Sequence, residues 1–99
     1  MVAQAVNIQA LEWLDEIIDK IARKHHVTPQ EVRDVFNGGP SSRWVEKGHR
    51  SGEDVYVAGG RTAAGRPLVV LFVYKKSGSA LILTARDMTR AERRLYAKR

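Results

Sequence analysis

PLVVLFVYKKSGSALILTAR, residues 67–86, sets two aliphatic runs of strand length on either side of a Lys-Lys-Ser-Gly turn. Each run is too short for a buried helix and rich in Val, Leu, Ile and aromatic residues, so the stretch reads as an antiparallel hairpin. The first run is apolar at every position from Leu68 to Tyr74. A sheet with one wet face alternates apolar with polar, and this strand does not. It is expected to be central and covered on both faces, by helices or by a partner.

Upstream, DVYVAG (54–59) alternates, with Val55 and Val57 on one side and Tyr56 and Ala58 on the other. RTAAGR (61–66) connects it to the central strand as a hairpin. SRWVEK (42–47) supplies one more short strand, followed by a polar turn through Gly48, His49 and Gly52. The expectation is a four-stranded antiparallel meander.

Two helices precede it. Asn7 is placed to cap a first helix whose apolar positions are Ile8, Leu11, Leu14, Ile18 and Ile21, widened by Trp13 and Ile17 and ending at His25–His26. Thr28, Pro29 and Glu31 then form a capping box with Pro at the first helical position, and Val32, Val35 and Phe36 face inward. Asn37-Gly-Gly-Pro40 stops that helix. After the sheet, Thr89 and Glu92 start a third helix, with Arg90, Arg94 and Lys98 on one face. Ala91 and Leu95, with Met88, are expected to dock it on the sheet, leaving Arg93 and Tyr96 beside the seam. The fold class is α+β: two N-terminal helices, a four-stranded antiparallel sheet and a C-terminal basic helix, in a single domain over residues 1–99.

Composition narrows the function. Without Cys, thiol catalysis and a thiolate metal site are excluded. No apolar run spans a bilayer and no secretory leader is evident, so no membrane partner is implied and the cytoplasm is the expected location. Residues 1–36 hold six acids against four Lys or Arg, a balance of −2, so the net +6 arises from a +8 excess after residue 36. Such a surface attracts polyanions, and an acidic protein equally.

No metal-ligand spacing occurs: His25 and His26 diverge on a helix and His49 is alone. Arg86, behind an apolar strand and before a capped helix, is placed either to clamp a phosphate or to pair with Asp87 or Glu92. Arg61 ends a strand at a hairpin edge with the same two readings. Lys24 and His25 suit a helix C-terminus electrostatically, and His25 is also a candidate proton-transfer group. Glu92 is a candidate base and a helix cap; Tyr96 is a candidate for packing, base stacking or phosphate contact. Cleavage of RNA by its own 2′-hydroxyl requires a base, cations near phosphorus and an acid, with no metal or cofactor. Arg61, Arg86, Arg93 and Lys24 are candidates for the charge, His25, Glu92 or Tyr96 for the protons, and Lys24, Arg90, Arg93, Arg94 and Lys98 for holding RNA. A non-catalytic domain binding nucleic acid or an acidic protein through the basic face, and a subunit whose basic helix is only solvated, remain open from these features.

The segments LEW (11–13), KHHVTPQEVRDVF (24–36), YVAGGRTAAGRPLVVLFVY (56–74) and LTARDMTRAERRLY (83–96), in this order, resemble the BrnT family. That resemblance implies a compact RelE-like fold and a ribonuclease toxin that inhibits translation. It further implies neutralisation by a cognate DNA-binding antitoxin of ribbon-helix-helix type and joint repression of their operon. Lys24 and His25 match the family's Lys-His, Arg61 its strand-end Arg, Arg86 the Arg of its Ser-Ala-Arg motif, and Glu92 and Tyr96 its terminal Glu and Tyr. The chain departs from the pattern where polar residues are usual: Leu14, Ile17, Ile21 and Leu81 are apolar, His26 replaces a glycine, and Thr84 stands for the Ser. These departures imply a rearranged site or a divergent member with weak or lost nuclease activity, and the apolar first helix implies a changed partner surface such as a homodimer.

Overall fold

The computed structural model describes residues 8–46 and 53–97. Eight elements follow in the order β1 (Ala10–Glu12), α1 (Asp15–His25), α2 (Pro29–Asn37), β2 (Ser41–Glu46), β3 (Asp54–Arg61), β4 (Pro67–Tyr74), β5 (Ser79–Asp87) and α3 (Arg90–Ala97). Asn7, His49 and Lys98, each assigned a place from sequence, lie outside the described residues.

The sheet order is β1-β5-β4-β3-β2, which makes β4 central. Strands β2 to β5 form the expected antiparallel meander. β1 is an addition. Ala10, Leu11 and Glu12 pair in parallel with Ser79, Ala80 and Leu81, so the first helix begins at Asp15 and not after Asn7. The pattern Ile8, Leu11 satisfies a helix and a short strand alike, and the open edge of β5 decides for the strand. Lys75 Nζ donates to Glu12 Oε1 at 2.9 Å and ties this strand down.

One face of the sheet carries the core. Leu68, Val70 and Phe72 of β4, Ala80, Ile82 and Ala85 of β5 and Ala58 of β3 lie fully buried against Ile21, Val27, Val32 and Val35. Each of the Val, Leu, Ile and Phe side chains contributes about 1.5–3 kcal/mol by leaving water, and each Ala less. Phe36 meets the edge of Phe72, with Tyr56 stacked beyond it. α2 is capped as its sequence reads: Thr28 accepts from the Glu31 amide and Glu31 from the Thr28 amide.

The turn between β3 and β4 joins these layers. Thr62 Oγ1 accepts from the Arg66 amide at 3.0 Å, Gly65 takes φ +92°, and the Ala63 amide donates to Asp34 Oδ2 of α2. Arg66 then reaches across the end of the sheet. Its guanidinium donates to the carbonyls of His25 (2.9 Å) and His26 (2.8 Å), to Asp87 Oδ1 (2.7 Å) and to Glu31 (3.2 Å). The terminal carbonyls of α1 have no partners within the helix, so these bonds satisfy them and orient its end.

His26, which ends α1, has φ 55° and ψ 40°. This left-handed conformation strains a residue with a Cβ by about 1 kcal/mol and costs glycine nothing, which accounts for the glycine usual there in the resembling family. His26→Gly is therefore expected to stabilise the fold, by roughly 0.5 kcal/mol once the freer unfolded chain is allowed for. Thermal unfolding should show a rise of about 3 °C. Arg66→Ala should lower stability by ~2 kcal/mol, since two carbonyls and two carboxylates lose their donor at a half-exposed place. An unchanged melting temperature in Arg66→Ala would deny the clamp its role.

Candidate nucleic-acid site on the α3 face

Which face Arg86 occupies is set by a bulge. Phe72 pairs with Ile82 and Leu71 with Thr84, so Leu83 is an extra residue in β5. Lys20 Nζ of α1 donates to its carbonyl at 3.1 Å. Beyond the bulge Ala85 and Asp87 point to the core face, and Thr84 and Arg86 point away from it.

On that outer face Gly59, Val69 and Arg86 stand in one cross-strand row. α3 lies over the row. A Cβ at Gly59 would come 2.5 Å from Cε1 of Tyr96, so only glycine leaves room for the ring. Val69 is 1% exposed beneath this contact. Arg86 forms a fork with Glu92, Nη1 to Oε1 at 2.7 Å and Nη2 to Oε2 at 2.9 Å, and Nη1 also donates to the Asp87 carbonyl. Glu92 Oε1 accepts from the Thr89 amide as well, and the Glu92 amide donates to Thr89 Oγ1. The helix thus docks through Glu92 and Tyr96, four residues apart. Ala91 and Leu95 do not dock it: both are exposed, Leu95 by 44%. An ion pair and a glycine gap on the sheet outweigh a two-residue apolar stripe.

The charge states follow from these contacts. Pairing with Arg86, joined by the Thr89 amide, pulls the Glu92 carboxyl down to about 2. A carboxylate so stabilised is a weak base at neutral pH, and its chemistry here is to orient Arg86. The same pair raises the Arg86 pKa, keeping it charged. Glu92 and the Asp87 carbonyl engage three of the five Arg86 N–H donors, and the side chain is 37% exposed, so an oxyanion can approach the guanidinium beside its carboxylate partner.

The other candidates divide between two places. Arg61, two residues past Gly59, shares the outer face; it is exposed and donates to the Gly65 carbonyl at 3.0 Å. Arg90, Arg93 and Arg94 are exposed on α3. Lys24 and His25 end α1 on the opposite side of the sheet. There Arg66 chiefly holds the Asp87 carboxyl below its usual range, with His25 and His26 adding to the effect. Arg86 and Asp87 are successive residues aimed at opposite faces, so the two clusters meet back to back at the end of β5. Arg66 and Gly59 escaped the sequence reading, and the Asp87 carboxylate, offered there as a partner for Arg86, pairs with Arg66 instead. The second Arg of GRTAAGR was the available signal for Arg66. Among the described residues no three of His, Asp and Glu gather as a metal site would need, and no helix is long and apolar enough to cross a membrane.

Residues 13–92 match the family described as the ribonuclease toxin BrnT of type II toxin–antitoxin systems, and the chain belongs to that family. Its α+β architecture is the RelE-like one of these toxins. No curated protein matches the chain significantly. Of the departures from the family pattern, Ile21 is fully buried in the core and Ile17 packs against it. Leu14 is an exposed N-cap, and Leu81 lies half-buried on the outer face. Positions 17 and 21 therefore serve the core layer and do not line the α3 face.

Glu92 and Asp87 are both more acidic in the folded chain than in the unfolded one. Their stabilisation is complete above the ordinary carboxylate pKa of about 4.3 and is lost as pH falls through the folded values, for Glu92 down to about 2. Urea unfolding of the wild type should weaken steadily between about pH 4.5 and 2. Glu92→Gln should be less stable at pH 7 and flatter across that window; an equal slope in both proteins would remove Glu92 from the acid transition.

Proposed function

We propose that this chain is the toxin of a type II toxin–antitoxin pair and acts as a metal-independent endoribonuclease that blocks translation in the cytoplasm. The observation that carries the reading is the Arg86–Glu92 fork seated beside Tyr96 under a basic helix. In the proposed step the RNA 2′-hydroxyl gives up its proton as its oxygen attacks the adjacent phosphorus, the P–O5′ bond breaks to leave a 2′,3′-cyclic phosphate, and the departing 5′-oxygen takes up a proton, so that none is gained or lost overall. Arg86, aimed by Glu92, and Arg61 stabilise the charge that develops on the phosphoryl oxygens. Tyr96 is the proton-transfer group on the same face. Arg90, Arg93 and Arg94, with Lys98, hold the RNA backbone by charge. His25 and Lys24, on the opposite face of the sheet end, lie apart from this phosphoryl site and act as contacts for RNA that passes round the end. The neutralising partner is a DNA-binding antitoxin of ribbon-helix-helix type.

A second reading rests on the same pair. Glu92 compensates the Arg86 charge and caps α3, which suffices to explain both residues as structural, leaving a domain that binds RNA or an acidic protein without cutting. The two readings separate on a defined RNA incubated in EDTA with wild type and with Arg86→Ala verified as folded by circular dichroism. The nuclease reading expects cyclic-phosphate products and a loss of at least about 100-fold in Arg86→Ala. RNA left intact by the wild type, yet retained in a salt-sensitive complex, would support the binding domain instead.

A further inference from the structure

Beyond the row that α3 covers, the outer face of the sheet sets one polar side chain among apolar ones. Past Gly59–Val69–Arg86 come two cross-strand rows, Val57–Leu71–Thr84 and Val55–Val73–Leu81. All six side chains are half-buried, whereas Val69 beneath α3 is 1% exposed. A water-facing antiparallel sheet carries polar residues at such positions; these rows carry five aliphatic groups and the Thr84 hydroxyl. That hydroxyl has no hydrogen-bond partner among the described residues. Leu81 stands where the family pattern has a polar residue, so the apolar patch of this chain reaches further than the pattern does.

We propose that these two rows form a subsite for one unpaired nucleobase flanking the phosphate held at Arg86, with Thr84 as its polar contact. The subsite rests on the nuclease reading for what happens to that phosphate, but base binding can be measured without cutting. Thr84 and Arg86 are two residues apart in the regular stretch past the bulge, so they share the outer face about 7 Å from each other. A nucleotide whose phosphate meets the Arg86 guanidinium therefore brings its base over Leu71 and Val57, with one edge toward Thr84. Arg61, Arg90, Arg93 and Arg94 lie at the α3 end of the face, where phosphates are held. A phosphate over the aliphatic rows would be desolvated with no donor to replace water, while the flat face of a base loses little there. A paired and stacked base presents no free face, so single-stranded RNA is the ligand. With one hydroxyl against five aliphatic groups, the rows rank bases by the area of the ring face, purine above pyrimidine. The hydroxyl both donates and accepts, so adenine and guanine are taken alike.

The test titrates the isotope-labelled full-length protein with RNA trinucleotides that carry a single base, adenine or uracil, the other positions abasic, beside a wholly abasic one. Methoxy groups at the 2′-positions prevent cutting and the phosphates are identical, so any difference belongs to the base. Adenine should shift the methyl resonances of Val57, Leu71 and Leu81 and bind at least about fivefold more tightly than the abasic RNA, with uracil between. Thr84→Val should weaken adenine binding at least about threefold and leave abasic binding unchanged; a role confined to packing would lower both alike. Leu81→Arg should tighten abasic binding and flatten the ranking. Equal affinity of adenine and abasic RNA, shifts confined to the core face, or equal losses in Thr84→Val would overturn the proposal. So would methyl shifts that follow protein concentration alone, which mark a second copy on these rows. Trinucleotides with free 2′-hydroxyls are then followed for cleavage. Ranked binding without cutting sinks the nuclease reading and leaves the subsite standing; cutting without ranked binding does the reverse.

Discussion

One extra residue in β5 fixes the sidedness of the molecule. Before the bulge Ala80 and Ile82 face the core, and an unbroken strand would continue with Thr84 and Arg86 on that face. A guanidinium would then be driven under α1 and α2, into an apolar layer where no polar group compensates its charge. Leu83 absorbs one position, Ala85 takes the core site, and Arg86 emerges on the face where Glu92 meets it. The carbonyl released by the irregularity is taken by Lys20, so the layer of α1 holds the bulge that orients the opposite side. Core packing and the candidate site are therefore one constraint expressed on two faces.

Arg66 performs the matching task at the end of the sheet. It collects the last carbonyls of α1, the first-turn carboxylate of α2 and the terminal Asp87 of β5 around a single planar cation. Lys could not reproduce this, because a point charge lacks the fork that serves several acceptors in one plane. The short turn Thr62–Arg66 is bonded to itself and to Asp34, which fixes where that fork begins. The GRTAAGR motif thus owes its residues to a junction among four elements. Its first Arg closes the hairpin from the outer face, and its second gathers the helices on the inner one.

Signals confined to a few residues were legible in the sequence. The capping boxes of α2 and α3, the stop at Asn37–Gly38 and the four antiparallel strands each depend on neighbours along the chain, and each was readable there. What failed depended on distant pairing. Ala10–Glu12 satisfies a helical period in isolation, and only the edge of β5 makes it a strand. α3 offered Ala91 and Leu95 as its apolar side, but Gly59, far upstream in β3, chose Tyr96, and Arg86, at the end of β5, chose Glu92. The candidate residues were nameable from motif resemblance. Their division between the two faces was not, since it turns on the bulge, which no local pattern announces.

Glu92 shows why structural and functional readings of this face do not exclude each other. It caps α3 through Thr89, neutralises Arg86, and with Tyr96 fixes the helix to the sheet. A cation aimed by a carboxylate is preorganised: it keeps its orientation when a phosphate arrives and needs little rearrangement at the moment charge develops. Without Glu92 the guanidinium would be freer and more exposed, binding anions through a mobile side chain at greater entropic cost. The basic residues of α3 add long-range attraction but no geometry, because they are exposed. The geometry of the candidate site therefore resides in the few groups whose positions the sheet dictates. The helix is where a stability determinant and a candidate binding determinant become the same bond.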